Sequence, residues 1–171
     1  MDELHQESYK NIFLRLPGDN ARNVCEGVSH LGGRSAFAGV VGRDEDGKFL
    51  SNVLRELGIR SLLVEKPGKT GKILTYITPD RERTFAVDLG NGLQYDTVSD
   101  EEVAKAQYVY ITSITVLALG PISETCRRVV ELARKVGTKV AFSLESPPMI
   151  KKNQKILLSI IEGVEVLFAN E

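Results

Sequence analysis

Apolar and polar positions alternate along this chain with two different periods. Val24, Val28 and Leu31 recur at helical spacing and predict a helix over 21–31 that the Gly32-Gly33 pair stops. "SAFAGVVG" (35–42) follows as a buried strand, and "GRDEDG" as a turn. Phe49, Val53, Leu54 and Leu57 mark a second helix, ended by Gly58. In the middle the period drops to two. "KILTYITPDRERTFAV" alternates threonines and aromatics around "PDRE", which predicts a hairpin with strands near 71–78 and 83–88 and its turn at Pro79-Asp80. One face of such a hairpin could be wet.

After Gly92 the helix–strand rhythm returns. "SDEEVAKA" carries a capping box, Ser99 with Glu102 three residues on. "QYVYITSITVL" reads as a strand running into a loop. Ile122, Cys126, Val129, Ala133 and Val136 line one face of a long helix. "TKVAFSL" is a strand, 151–162 a helix and "VEVLFAN" the last strand. Strand–helix alternation of this kind gives a parallel sheet with right-handed crossovers, an α/β fold from which the hairpin is an excursion. Ligands of such sheets sit beyond the carboxyl ends of the strands. Here "GRDEDG", "SITVLALGP", "SLESPPM" and the final "NE" leave those ends.

Composition narrows the partners. The 171 residues suffice for one domain with a core; 42% are apolar and 26% charged. With 22 basic against 23 acidic residues the net charge is −1, and no basic stripe points to nucleic acid. No apolar run approaches membrane-spanning length, and the polar "MDELHQESYK" is not expected to be a signal peptide. Cys25 and Cys126 lie far apart on helix faces without metal or redox spacing, so a reducing cytoplasm is the simplest setting. His5 and His30 are the only histidines, which argues against a zinc site.

Candidate chemistry collects at the loops. In "LPGDNARN", Asp19 or Asn20 can cap a helix, and Gly18 can supply a turn. Asn23 lies one turn inside, where asparagine is a poor helix former but can offer a donor and an acceptor to a hydroxylated ligand. Asp44, Glu45 and Asp46 form too short a loop for an EF-hand, and Asp44 reads as the cap of the next helix. Arg81 and Arg83 either solubilise the hairpin or close over a bound anion or substrate. Glu145 leaves a strand at the edge where chemistry occurs, while Pro147-Pro148 can merely block a helix. No P-loop and no G-x-G-x-x-G occurs.

Taken in order, these pieces resemble the ribokinase-like (PfkB) family of carbohydrate and nucleoside kinases. "LGGRSAFAGVVGRDEDG" with the following "FLSNVLRELGI" is the specific match. "TGKILTYITPDRERTF", "LGNG" and "VEVLFANE" resemble the family's lid strands, its glycine–asparagine turn and the start of its N-x-x-E motif. The resemblance implies a Rossmann-like, ribokinase-like α/β domain over 1–171, incomplete, with a small β lid from strands near 8–16 and 71–88. It implies ATP-dependent phosphorylation of a sugar or nucleoside hydroxyl, with Mg²⁺. Gly18, Asp19, Asn20, Asn23, Asn91 and Glu145 would face the substrate, Arg81 and Arg83 would lie on the lid, and Asn170 would be linked to phosphate and Mg²⁺.

The chain departs from the family pattern in places. Pro17 replaces the first glycine of a pair, one extra residue precedes Asn23, and Ser143-Leu144-Glu145 stands where Asp-x-Asn is common. The family's opening strand with its substrate-binding aspartate precedes this stretch, and Asp2 is too close to Gly18 to replace it. The "GAGD" turn and the catalytic base are expected beyond Glu171, with most of the ATP and Mg²⁺ contacts. The expectation is therefore a substrate-side portion, inactive alone, with no metal ligand or catalytic residue of its own, soluble in the cytoplasm and open to homodimerisation through the β lid. A truncated, non-catalytic sugar- or nucleoside-binding module is the alternative.

Overall fold

Asp19 places its carboxylate on the amide of Arg22 (3.1 Å) and so starts the first helix, α1 (Asn20–His30). Gly32, at φ +79°, turns the chain out of it, with the Gly33 amide bonded back to Val28 O at 2.9 Å. The computed structural model describes residues 14–170. After α1 come β1 (Ala36–Gly42), α2 (Glu45–Glu56), capped by Asp44 as its sequence suggests, and β2 (Arg60–Lys66). The hairpin is β3 (Lys72–Ile77) and β4 (Arg83–Asp88). Then follow α3 (Asp100–Lys105), β5 (Tyr108–Thr112), α4 (Ser113–Leu117), α5 (Pro121–Val136), β6 (Lys139–Ser143), α6 (Pro147–Lys152), α7 (Gln154–Ile161) and β7 (Val166–Phe168).

The parallel strands form two ladders. β1 pairs with β2, and β5-β6-β7 form the second sheet; among the described residues no strand pair joins the two. The hairpin pairs only with itself, Thr75 opposite Phe85. The larger core lies on the second sheet, where Phe142 and Val140 pack with Val116, Val130, Ala133, Leu157 and Ile160. Val41, Leu54 and Ile59 are buried around the first. No helix among the described residues is long and apolar enough to cross a membrane.

Five local expectations change. The loop after β5 is a helical turn, α4, because the Thr112 hydroxyl takes the Thr115 amide and caps it. The helix expected over 151–162 is two helices, broken at Asn153, whose side chain turns back to Met149 O at 2.8 Å. Val136 is exposed at the last turn of α5. Of the lid strand expected over 8–16, residues 8–13 lie outside the described residues and 14–16 take no strand pairing. Arg15 instead lies over the Phe49 ring at 4.3 Å and bonds Glu45 O and the Asp46 carboxylate, so this segment is held by side-chain contacts to α2. Ser99 does cap α3, but Glu102 turns to Arg60 at 2.5 Å.

Candidate functional site

The start of α1 leans on the second sheet through one amide. The Tyr110 hydroxyl on β5 donates to Asn20 Oδ1 at 3.0 Å, and Asn20 Nδ2 donates to the Glu145 carboxylate just past β6. Both ends of Asn20 are thus fixed. Glu145 is fixed in turn by Ser113: its amide donates to Ser113 Oγ at 2.8 Å, and that hydroxyl lies 3.0 Å from Glu145 O, to which it donates. Tyr110 is braced edge-on against Phe168 of β7, with ring centres 6.1 Å apart. One polar cluster therefore gathers residues from α1, β5, α4, β7 and the loop after β6.

The backbone is strained on both sides of this clamp. Three non-glycine residues among those described have positive φ: Asp19 (+82°), Arg81 (+67°) and Ser146 (+53°). Asp19 precedes Asn20 and Ser146 follows Glu145. Such conformations cost roughly 1–3 kcal/mol each and collect where a site over-determines its backbone. Electrostatics agree with a partly dry, acidic rim. Burial raises the Glu145 carboxyl above its ordinary value, and the Asp19 charge adds to the shift. Burial likewise raises the Tyr110 phenol, with Glu145 and Asp19 adding to it.

Gly18 and Asp19 sit beside this cluster, and Asn23 is exposed one turn further along α1. Asn23 Oδ1 accepts from Arg22, a buried arginine whose Nε also holds Gly18 O (3.0 Å) and whose Nη1 pairs with Glu26 (2.8 Å). Arg22 thus welds the turn at Gly18 to the first turns of the helix. Asn91 has a different neighbourhood. Its side chain donates to Lys66 O and Pro67 O, both at 3.2 Å, and its amide to Lys69 O at 2.7 Å, so it ties the two roots of the hairpin together. Gly90 crosses the other root so closely that a Cβ there would run into Lys69 O. Asp44 takes the amides of Gly47 and Thr70, both at 2.8 Å, and the Thr70 hydroxyl at 2.6 Å; these bonds hold its carboxyl down at about 2. Arg81 lies in the hairpin turn and Arg83 opens β4 opposite Ile77, both exposed. Asn170 is exposed after β7, and Glu171 lies outside the described residues.

Tyr110, Ser113, Arg22 and Thr70 were not singled out from the sequence. A tyrosine in a strand, or a buried arginine in a helix, has no local signature; only the fold reveals its partner. Among the described residues no three His, Cys, Asp or Glu side chains converge to hold a metal.

The pfkB family carbohydrate kinase pattern matches residues 10–171, and the chain belongs to that family. It is 26% identical to a fructokinase from Salmonella typhimurium over 154 residues, covering 88% of this chain and 50% of that protein. It is 32% identical to a 5-dehydro-2-deoxygluconokinase from Shouchella clausii over 145 residues, 80% of this chain and 44% of the relative. The fold matches adenosine kinase from Sinorhizobium meliloti (TM-score 0.85, 22% identity, 99% of this chain and 54% of that one). It also matches fructokinase from Xylella fastidiosa (TM-score 0.78, 23% identity, 91% and 52%). The chain spans about half the length of the curated relatives it matches.

Proposed function

We propose that this chain forms the substrate side of an ATP-dependent kinase that phosphorylates a hydroxyl of a sugar or nucleoside. The observation that carries the reading is the Tyr110–Asn20–Glu145 clamp, set at the carboxyl edge of the second sheet between two strained residues, in a chain of the pfkB family. Hydroxyl groups both donate and accept, and the rim offers both partners: carboxylates at Asp19 and Glu145, amides at Asn20 and Asn23.

In this reading Gly18, Asp19, Asn20, Asn23 and Glu145 orient the substrate. The hairpin closes over it with Arg81 and Arg83, keeping water from the reacting group, and its outer apolar face meets a second copy of the chain. Holding reactants in line accounts for several kcal/mol of a transfer barrier. ATP with Mg²⁺ supplies the phosphoryl group when bound, through residues outside this stretch, with Asn170 at the boundary. The chain alone is accordingly expected to show no ATP-dependent phosphorylation. The relatives' names leave two chemical classes of substrate: neutral molecules, fructose and adenosine, and a sugar acid, a deoxygluconate derivative.

The test is an amide NMR titration of the chain with D-fructose, D-ribose and adenosine. The reading expects saturable shifts at residues 18–23, 110 and 145 with at least one of them. Saturable shifts confined to other surfaces, or none with any of the three, would refute it.

A further inference from the structure

Resting on that reading of the site, we propose that it admits neutral polyhydroxylated substrates and turns away sugar acids, with Glu145 as the specificity-determining residue. A bound carboxylate needs a cation or a row of free N–H donors beside it. The rim around Asn20 offers the opposite. Asp19 stands on one side and Glu145 on the other, and Asn20 Nδ2, the obvious donor, already faces Glu145. The arginine closest in sequence, Arg22, is 4% exposed and bound to Gly18 O, Asn23 Oδ1 and Glu26, whose carboxyl it holds below its ordinary value. It cannot turn to a ligand without breaking the start of α1.

Glu145 cannot swing aside to make room. Ser113 grips its backbone on both sides, Asn20 grips its carboxylate, and Ser146 behind it is held at φ +53°. Hydroxyl groups of a neutral sugar donate well to such fixed carboxylates. A sugar acid would bring a third negative charge to them, well inside the Debye length of about 8 Å at physiological salt. Among the described residues neither Arg81 nor Arg83 bonds Asp19, Asn20 or Glu145, which bond Arg22, Tyr110, Ser113 and one another.

The experiment compares D-fructose, D-ribose and adenosine with D-gluconate and D-glucuronate by NMR-detected titration of the chain at pH 8, well above the ordinary carboxylate range. The expected result is that every sugar acid binds at least about tenfold more weakly than the best neutral probe, a difference of about 1.4 kcal/mol. The gap should shrink severalfold in Glu145→Gln and again for wild type in 500 mM NaCl. A sugar acid that binds as tightly as the best neutral probe overturns the inference and leaves the kinase reading standing. A gap that Glu145→Gln leaves unchanged while the variant keeps the wild-type spectrum elsewhere removes Glu145 from the role. If none of the probes binds, the kinase reading falls, and this inference falls with it. Should Glu145→Gln fail to fold, the salt comparison on wild type decides: a gap insensitive to salt contradicts charge exclusion.

Discussion

The second parallel sheet and the hairpin contain similar residues and treat them in opposite ways. In β6, Val140 and Phe142 are fully enclosed between α5 and α7. In β3 and β4 every position is exposed, including Ile73, Leu74, Ile77, Phe85 and Val87. A two-stranded ribbon with apolar side chains on both faces is marginal by itself. The sheet owes its place to burial, whereas the hairpin owes its place to its roots: Asp44 on Thr70, Asn91 on the ends of β2, Lys72 on Asp46. The hairpin is thus attached at its roots and leaves apolar side chains exposed on both of its faces.

The sharpest way to break this contrast is to truncate one phenylalanine in each region. Phe142→Ala should lower unfolding free energy by about 3–5 kcal/mol in urea melts, as for other buried aromatics. Next comes Thr70→Val, which keeps the shape but strips Asp44 and the Gly42 amide of a hydroxyl held at 2.6 and 2.9 Å. Leaving the buried Gly42 amide unpaired and Asp44 with only its two backbone amide donors should cost about 1–3 kcal/mol. Thr70→Ser should recover most of it. Protease cutting near Asp80 should rise in the valine variant more than the global loss explains.

A third effect is pH-dependent. Asp44 has its carboxyl lowered from 3.8 to about 2 by the Thr70 and Gly47 bonds. A depressed carboxyl stabilises the fold above its unfolded value and loses that stabilisation as pH falls through the folded one. Wild type should therefore lose stability between 3.8 and about 2, and Asp44→Asn, weaker at neutral pH, should lose less over the same window. The smallest effect belongs to Phe85→Ala, which should stay within about 0.5 kcal/mol of wild type because no core surrounds it. A loss as large as that of Phe142→Ala would show that the hairpin is packed in solution and end the comparison.

What the sequence revealed follows the same division. Periodicity located the longer helices, the hairpin and most parallel strands, because each is a local pattern of apolar positions; it read α4 as a loop and α6 and α7 as one helix over 151–162. It passed over β2, "RSLLVEK", a short apolar run between charged ends that becomes a strand only by lying parallel to β1. The capping role of Asp44 was legible from the turn before a helix; its hold on Thr70, 26 residues on, was not. At the site, Asn20 and Glu145 were each readable as loop residues at strand or helix ends. Their contact across 125 residues, with Tyr110 behind it, is a tertiary fact with no local trace. Asn91 adds a contact of the same kind: its side-chain amide donates to the carbonyls of Lys66 and Pro67, a tie across the hairpin's roots that the glycine–asparagine turn does not announce.

The central claim is that the clamp around Asn20 serves a hydroxylated ligand and is not merely a brace between α1 and the second sheet. Asn20→Ala separates the two most directly, measured as melting temperature without ligand together with affinity for the best neutral sugar or nucleoside. The account predicts a melting temperature within about 3 °C of wild type, since the residue is exposed and leaves no core cavity, and an affinity about tenfold lower. A melting temperature lowered by much more, with ligand affinity unchanged, would contradict it and make the clamp a structural tie alone.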